Sequence, residues 1–489
     1  MTGTIRRLAS LVLLALAAMA PALVYYQVIA AGDLTARQDN PRRLAQELRI
    51  QRGLILDRQG KVLVENRAQP DGRVQRVYDY PSLVHVTGFF SPRFGATGIE
   101  SSYNGELTGS SGPDSWQALE ARLLGNPIIG ADLALTIDLG LQQAVEKAMG
   151  NAKGAALVLD PRTGEILALY SRPYFDPNLL ASLDPGPATD TYWSQLNQDA
   201  DRPLVNRATQ GLYPPGSTFK TVTLAAAIET GSARLDDRYS FTLHPADRDH
   251  QYAWHANEFT SCDNHPATSA FDLRGAYGLS CNVVFSELGL KIGAPVLQDY
   301  ARRFGFESKP PLEVPVEASR LATTRDYFTG DERFYALAST AFGQGELLAT
   351  PLQMALVAAA AASGGSIPTP HLVSQVRDRN GQILSQVQPS AWRQAMARAT
   401  ASLVKEAMVW GGDQGWANGA KPQGVSIGGK TGTAENATGS LPHAWFIGFA
   451  PADNPRVVVA LVKEAAGSST SEADPVAKAI FQAALEAVK

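Results

Sequence analysis

A serine three places before a lysine, in Ser217-Thr218-Phe219-Lys220, is the pairing in this chain best suited to covalent chemistry. Residues three apart on a helix share a face, so the lysine amine can reach the serine hydroxyl and give a nucleophile its base. Residues 221–228 carry no charge, which predicts a helix buried all round with a partly dehydrated first turn. Dehydration disfavours an ammonium ion, so Lys220 is expected to be neutral and able to take the Ser217 proton. The same spacing recurs in Ser402-Leu403-Val404-Lys405, but there it falls in an amphipathic stretch, residues 400–410, with Lys405 and Glu406 on the wet face. That context describes an ordinary surface helix, and Ser402 is set aside.

Two further motifs follow Ser217 in order. Ser280-Cys281-Asn282 precedes an apolar helical stretch, and Lys430-Thr431-Gly432-Thr433 lies in a strand-like segment, residues 425–435. Each is weak alone, since Ser102-Tyr103-Asn104 repeats the second pattern in a loop and Thr431 and Thr433 are ordinary strand formers. Their order, spacing and context carry the signal. In residues 33–130 no clustered His, Cys or acidic residues suggest a metal site.

The elements that must position these motifs are legible as periodicities. Residues 139–149 have helical spacing of apolar side chains, and residues 155–160 and 165–170 flank Pro161-Arg162-Thr163-Gly164 as a hairpin. An alanine-rich helix covers residues 354–362; strands cover 425–435, 444–450 and 457–463; an amphipathic helix covers 475–488. Strands at both ends with helices between predict an α+β domain whose antiparallel sheet is assembled from its two ends around a helical insertion. Ahead of it, residues 32–131 are more polar and turn-rich, with two short strands around Asp57-Arg58-Gln59-Gly60.

At 489 residues, 45% hydrophobic and 18% charged, the chain is long enough for two domains with large cores. A net charge of -4 without like-charge blocks provides no footprint for nucleic acid. Residues 8–31 contain no charged side chain and follow Arg6 and Arg7, which predicts a membrane-crossing helix with residues 1–7 inside and everything beyond it extracytoplasmic. Ala18-Met19-Ala20 offers a cleaved-signal alternative, but the apolar run continues past it to Tyr25 and Tyr26 at the outer interface, which favours an anchor. Cys262 and Cys281, the two cysteines, are either disulfide-bonded or two small buried thiols.

The trio Ser-x-x-Lys, Ser-x-Asn and Lys-Thr-Gly is that of penicillin-binding proteins and class A β-lactamases, and the chain resembles a class B penicillin-binding protein, a monofunctional peptidoglycan D,D-transpeptidase, over nearly its whole length. Arg52-Gly53-Leu54-Ile55-Leu56-Asp57-Arg58 and Gly98-Ile99-Glu100 are similar to signatures of the class B N-terminal module. Phe342-Gly343-Gln344-Gly345, Thr350-Pro351-Leu352-Gln353-Met354-Ala355 and Ala444-Trp445-Phe446-Ile447-Gly448-Phe449-Ala450-Pro451 are similar to segments of the transpeptidase domain. The short module resembles the smallest members, such as those common in actinobacteria.

The resemblance implies a serine transpeptidase/β-lactamase-like fold with a five-stranded antiparallel sheet and a helical subdomain, occupying residues 132–489. It implies that Ser217 attacks the penultimate D-Ala carbonyl of a D-Ala-D-Ala stem peptide and that Lys220 takes its proton. The backbone N–H groups of Ser217 and Thr433 would hold the oxyanion. Ser280 would pass a proton to the departing D-Ala, and Asn282 would hold the donor peptide. Lys430, Thr431 and Thr433 would engage its terminal carboxylate or support the relay, and Gly432 would belong to the same substrate-binding strand. An amine of a neighbouring stem peptide would then take the acyl group, without any cofactor, and β-lactams would acylate Ser217. Arg52 and Glu100 would hold the module together.

A β-lactamase would need a water-positioning Glu-x-x-x-Asn between the second and third motifs; Asn380 and Asn418 there are preceded four places earlier by Val376 and Gln414. A class D-like lactamase or β-lactam sensor would more usually carry Ser-x-Val, and a non-catalytic wall-synthesis scaffold would not need the intact motifs. The interval between anchor and Asp132 is short for a glycosyltransferase, so glycan polymerisation falls to a partner, expected to be a polytopic polymerase of the shape, elongation, division and sporulation family.

Overall fold

Segments such as 155–159 and 457–462 are unbroken apolar runs because both faces of their sheet are covered. The computed structural model describes residues 2–26, 47–110, 129–240, 270–436 and 439–488. Its larger unit is built on five antiparallel strands in the order Gly428–Ala434, His443–Ala450, Val457–Lys463, Gly154–Leu159 and Ile166–Arg172. The two ends of the domain meet where Leu157 pairs with Ala460. One face packs on the helix Pro351–Ala362, buried from Pro351 to Ala361, and the other on Leu139–Met149 and Asp474–Ala487 through Val145, Met149, Ile480 and Phe481. A strand covered on both sides has no wet face, so its side chains need not alternate.

A second sheet joins the two parts of the chain. Its six strands run Ile383–Gln386, Val373–Arg377, Asp132–Leu135, Ile55–Leu56, Val62–Ala68 and Val74–Tyr78. Asp132–Leu135 pairs in parallel with Ile55–Leu56 and antiparallel with Val373–Arg377. A boundary between residues 131 and 132 therefore falls inside one continuous sheet, a long-range pairing that local periodicity does not reveal. The predicted turn is present: the Asp57 carboxylate accepts from the Gln59 and Lys61 amides at 2.9 and 2.8 Å.

Under this sheet Arg52, Arg76 and Glu100 form a buried triad. Arg76 Nε donates to Glu100 Oε1 at 2.6 Å and Arg52 Nε to Oε2 at 3.0 Å. Burial pushes the Glu100 carboxyl up, but the two guanidinium groups outweigh it and hold it below the usual carboxylate range. Asn104 accepts from Arg52, so the Ser102-Tyr103-Asn104 motif belongs to this module's packing.

At the N-terminus Thr2–Val24 is one helix whose apolar side chains, among them Leu8, Leu11, Leu14 and Met19, are exposed. Its uncharged part, residues 8–24, spans about 25 Å at 1.5 Å per residue, short of a hydrocarbon core of about 30 Å. Among the described residues no helix is long and apolar enough to cross a membrane; the predicted span to residue 31 continues outside them. Cys281 is buried and disulfide-bonded; Cys262, the other cysteine of the chain, lies outside the described residues.

Candidate active site

Where the sequence predicts an α-helix opened by Ser217, the structure has a tighter arrangement. Ser217 sits in the 3-10 turn Gly216–Phe219, and the α-helix Lys220–Glu229 begins directly after it. In a 3-10 turn the side chains at i and i+3 eclipse, which stacks the amine over the hydroxyl. Lys220 Nζ lies 3.0 Å from Ser217 Oγ. The helix is buried from Lys220 to Ala227, as its lack of charge predicts.

Among the described residues the Lys220 amine makes four hydrogen-bond contacts, to three residues, and none is to a carboxylate. Besides Ser217 it meets Ser280 O at 2.7 Å, Ser280 Oγ at 3.2 Å and Asn282 Oδ1 at 2.6 Å. Burial first, and the positive charge of Lys430 second, push the Lys220 amine well below the ordinary lysine range. A neutral amine has two hydrogens and one lone pair. The two carbonyl oxygens of Ser280 and Asn282 can only accept, so they take both hydrogens and leave the lone pair facing the Ser217 hydroxyl.

The second motif reaches this point because Ser280, at φ +63°, turns the chain between the helices Leu273–Gly278 and Asn282–Ile292. Lys430 Nζ then donates to Ser280 Oγ at 2.9 Å and to Thr431 O at 3.0 Å. Ser217, Lys220, Ser280, Asn282 and Lys430 thus form one hydrogen-bonded chain. Burial pulls the Lys430 amine down to about 7, opposed by Asp474. Thr433 stands exposed at the open end of its strand while Thr431 is buried.

Close approach of backbones holds the turn against the sheet. A Cβ on Gly432 would lie 2.9 Å from Pro215 O and 3.0 Å from Thr218 Cγ2, so this position in the strand tolerates only hydrogen. Behind the turn, Gly216 N donates to Gly343 O at 2.9 Å, and a Cβ on Gly343 would lie 1.7 Å from Gly216 O. Buried Trp445 donates through Nε1 to Pro214 O at 3.0 Å. The positioning roles of Gly343 and Trp445 have no local signature beyond their place in the family-like segments 342–345 and 444–451.

Other sequence candidates separate from the site. Ser402 Oγ donates to Arg398 O at 3.0 Å on the exposed face of Arg398–Asp413, and Lys405 to Asp453 O at 3.2 Å, so the second Ser-x-x-Lys belongs to a surface helix. His443 Nδ1 accepts from the Ala465 amide at 3.0 Å, a structural use. Two site neighbours escaped the sequence reading. Asp474, 1% exposed, has its carboxyl pushed up to about 8 by burial, opposed by Lys430. Ser469, also buried, has its hydroxyl 3.1 Å from Thr433 Oγ1. Each was hidden because distance along the chain conceals proximity to the third motif.

Comparison with known proteins shows the family. Residues 154–486 match the family model described as penicillin binding protein transpeptidase domain, and residues 52–133 match penicillin binding protein A dimerisation domain. The chain is 34% identical to peptidoglycan D,D-transpeptidase PbpA of Mycobacterium tuberculosis over 99% of both chains. It is similar in structure to the imipenem acyl-enzyme complex of penicillin-binding protein A from the same organism, with a TM-score of 0.80 and 35% identity over 90% of this chain and 100% of that one. The penicillin G acyl-enzyme complex of that protein gives 0.78 and 34% identity over 89% and 100%.

Proposed function

This chain belongs to the class B penicillin-binding proteins, and on that premise we propose how its residues divide the work of a peptidoglycan D,D-transpeptidase. Ser217 Oγ attacks the carbonyl carbon of the penultimate D-Ala while its proton passes to the Lys220 lone pair. The negative charge that develops on the carbonyl oxygen is held by the N–H groups of Ser217 and Thr433, brought together by the packing of the Ser217 turn on Gly432. As the C–N bond breaks, the Ser280 hydroxyl gives its proton to the departing D-Ala amine and is re-protonated from Lys220. An acceptor amine then attacks the acyl-enzyme with the proton relay reversed, restoring Ser217 and forming the cross-link. Asn282 gives its oxygen to Lys220, which leaves its amide nitrogen to hold the donor peptide. Lys430, Thr431 and Thr433 face the terminal carboxylate.

The observation that carries this division is the buried Lys220 amine, 3.0 Å from Ser217 Oγ and surrounded by uncharged partners. Labelling with a fluorescent penicillin tests it. Ser217→Ala is expected to lose the label and Ser402→Ala to keep it; persistent labelling of the first variant would refute the assignment.

We further propose that residues 8–31 anchor the chain in the membrane, with residues 32–131 as a pedestal and 132–489 as the extracytoplasmic catalytic domain. The uncharged run and the exposed apolar helix Thr2–Val24 support the anchor. The segment between it and the catalytic domain resembles a penicillin-binding-protein module, so glycan polymerisation is assigned to a polytopic polymerase of the shape, elongation, division and sporulation family. Co-purification of such a polymerase should be lost when residues 1–131 are deleted, and its survival would sink the proposed contact.

A further inference from the structure

The hydroxyl of Thr433 is claimed from behind by Ser469. This serine follows the strand Val457–Lys463 and opens the short helix Ser469–Glu472, which Lys463 ties down by ion-pairing with Glu472. The loop before it is fixed to the start of the strand His443–Ala450 by hydrogen bonds from the Ala466 and Gly467 amides to Pro442 O, both at 3.0 Å. Ser469 is 4% exposed, whereas Thr433 is open to the cleft. Two contacts join them: Ser469 N donates to Thr433 Oγ1 at 3.3 Å, and the two hydroxyl oxygens lie 3.1 Å apart.

A threonine hydroxyl has one hydrogen and two lone pairs. The Ser469 amide can only donate, so it occupies one Thr433 lone pair. If the Ser469 hydroxyl donates as well, both lone pairs are filled and the Thr433 hydrogen has to point into the cleft. A carboxylate arriving there can only accept, and it selects that orientation. We infer that Ser469 is a positioning residue that polarises Thr433 as a hydrogen-bond donor, and thereby sets the preference of the site for a substrate ending in a free carboxylate. This rests on the reading above in which Thr433 faces the terminal carboxylate.

The test compares acylation of the full chain, in detergent, by benzylpenicillin and by its methyl ester, in which the carboxylate is masked. Ser469→Ala keeps the backbone donor but removes the hydroxyl. It is expected to slow acylation by the acid by up to about tenfold, the upper weight of one hydrogen bond between neutral groups, and to leave the ester within about twofold. Ser469→Thr restores the hydroxyl and is expected to restore the acid rate. An unchanged acid rate, or equal slowing of acid and ester, would overturn the inference, the second because a merely loosened fold penalises both. Thr433→Val separates the two layers of the argument. If it abolishes the preference for the acid while Ser469→Ala does not, only the role of Ser469 fails. If Thr433→Val leaves the preference intact, the carboxylate role of Thr433 fails with it.

Discussion

At the scale of single residues, the site depends on lysines kept short of protons. Lys220 is buried among neutral oxygens, and Lys430, at about 7, lies near neutrality because burial outweighs the help of Asp474. Asp474 shows the mirror effect: its folded value of about 8 is above the usual 3.8, so the folded protein holds a proton there that the unfolded chain has released. By linkage, its contribution to stability is fully present below about 4 and declines as pH rises toward 8. Lys430 has the opposite sign, with stability gained as pH rises from about 7 through the usual 10.5. Asp474→Asn carries no such proton, so its melting temperature relative to the unmodified protein should climb between pH 4 and 7. A constant difference across that range would rule out the buried acid as the cause. The Ser217–Lys220 spacing was readable from the chain alone, but the charge state of Asp474 was not, because burial is a property of what other segments bring to it.

At the scale of elements, the notable feature is how little side chain separates them around Ser217. The 3-10 turn Gly216–Phe219 is pressed between the Lys430-bearing strand and the Gly343 loop, with glycine at each closest approach. Gly343→Ala places a methyl group 1.7 Å from Gly216 O at a backbone φ of +98°, a conformation that side chains with a Cβ rarely adopt. The turn must shift, and a displacement of about 1 Å at a reacting group costs on the order of a hundredfold in rate. Acylation by penicillin should fall by about that factor while the far-ultraviolet circular dichroism is retained, and a rate within threefold of the original would show that the loop yields freely. Helix and strand positions are legible because apolar periodicity is local: residues 139–149 have helical spacing of apolar side chains and form the helix Leu139–Met149. The 3-10 character of the Ser217 turn is not, since Tyr213-Pro214-Pro215-Gly216 favours a turn without saying which hydrogen-bond spacing follows.

At the scale of the whole molecule, the six-stranded sheet welds the N-terminal module to the catalytic domain, and the Arg52–Glu100–Arg76 triad lies in the core of that module. Removing one charge from a buried network strands its partners, at a cost of about 3–5 kcal/mol. Glu100→Gln should therefore lower the melting temperature while the folded fraction still takes up penicillin, and an unshifted melting curve would contradict a stabilising role for the triad. Because the Glu100 carboxyl is held below its usual range, its contribution is present at neutral pH and lost as pH falls through the folded value. The amino-acid sequence by itself determined the candidate reactive residues, their order, the class of sheet and the uncharged run near the N-terminus, because spacing, charge and apolar period are local properties of the chain. Only the tertiary structure decided that Asp132–Leu135 and Val373–Arg377 share a sheet with the N-terminal strands, that Asp474 lies buried close enough to Lys430 to bias its charge, and that Ser469 stands behind Thr433. Those relations join segments tens to hundreds of residues apart, and nothing in either segment alone records which partner it meets.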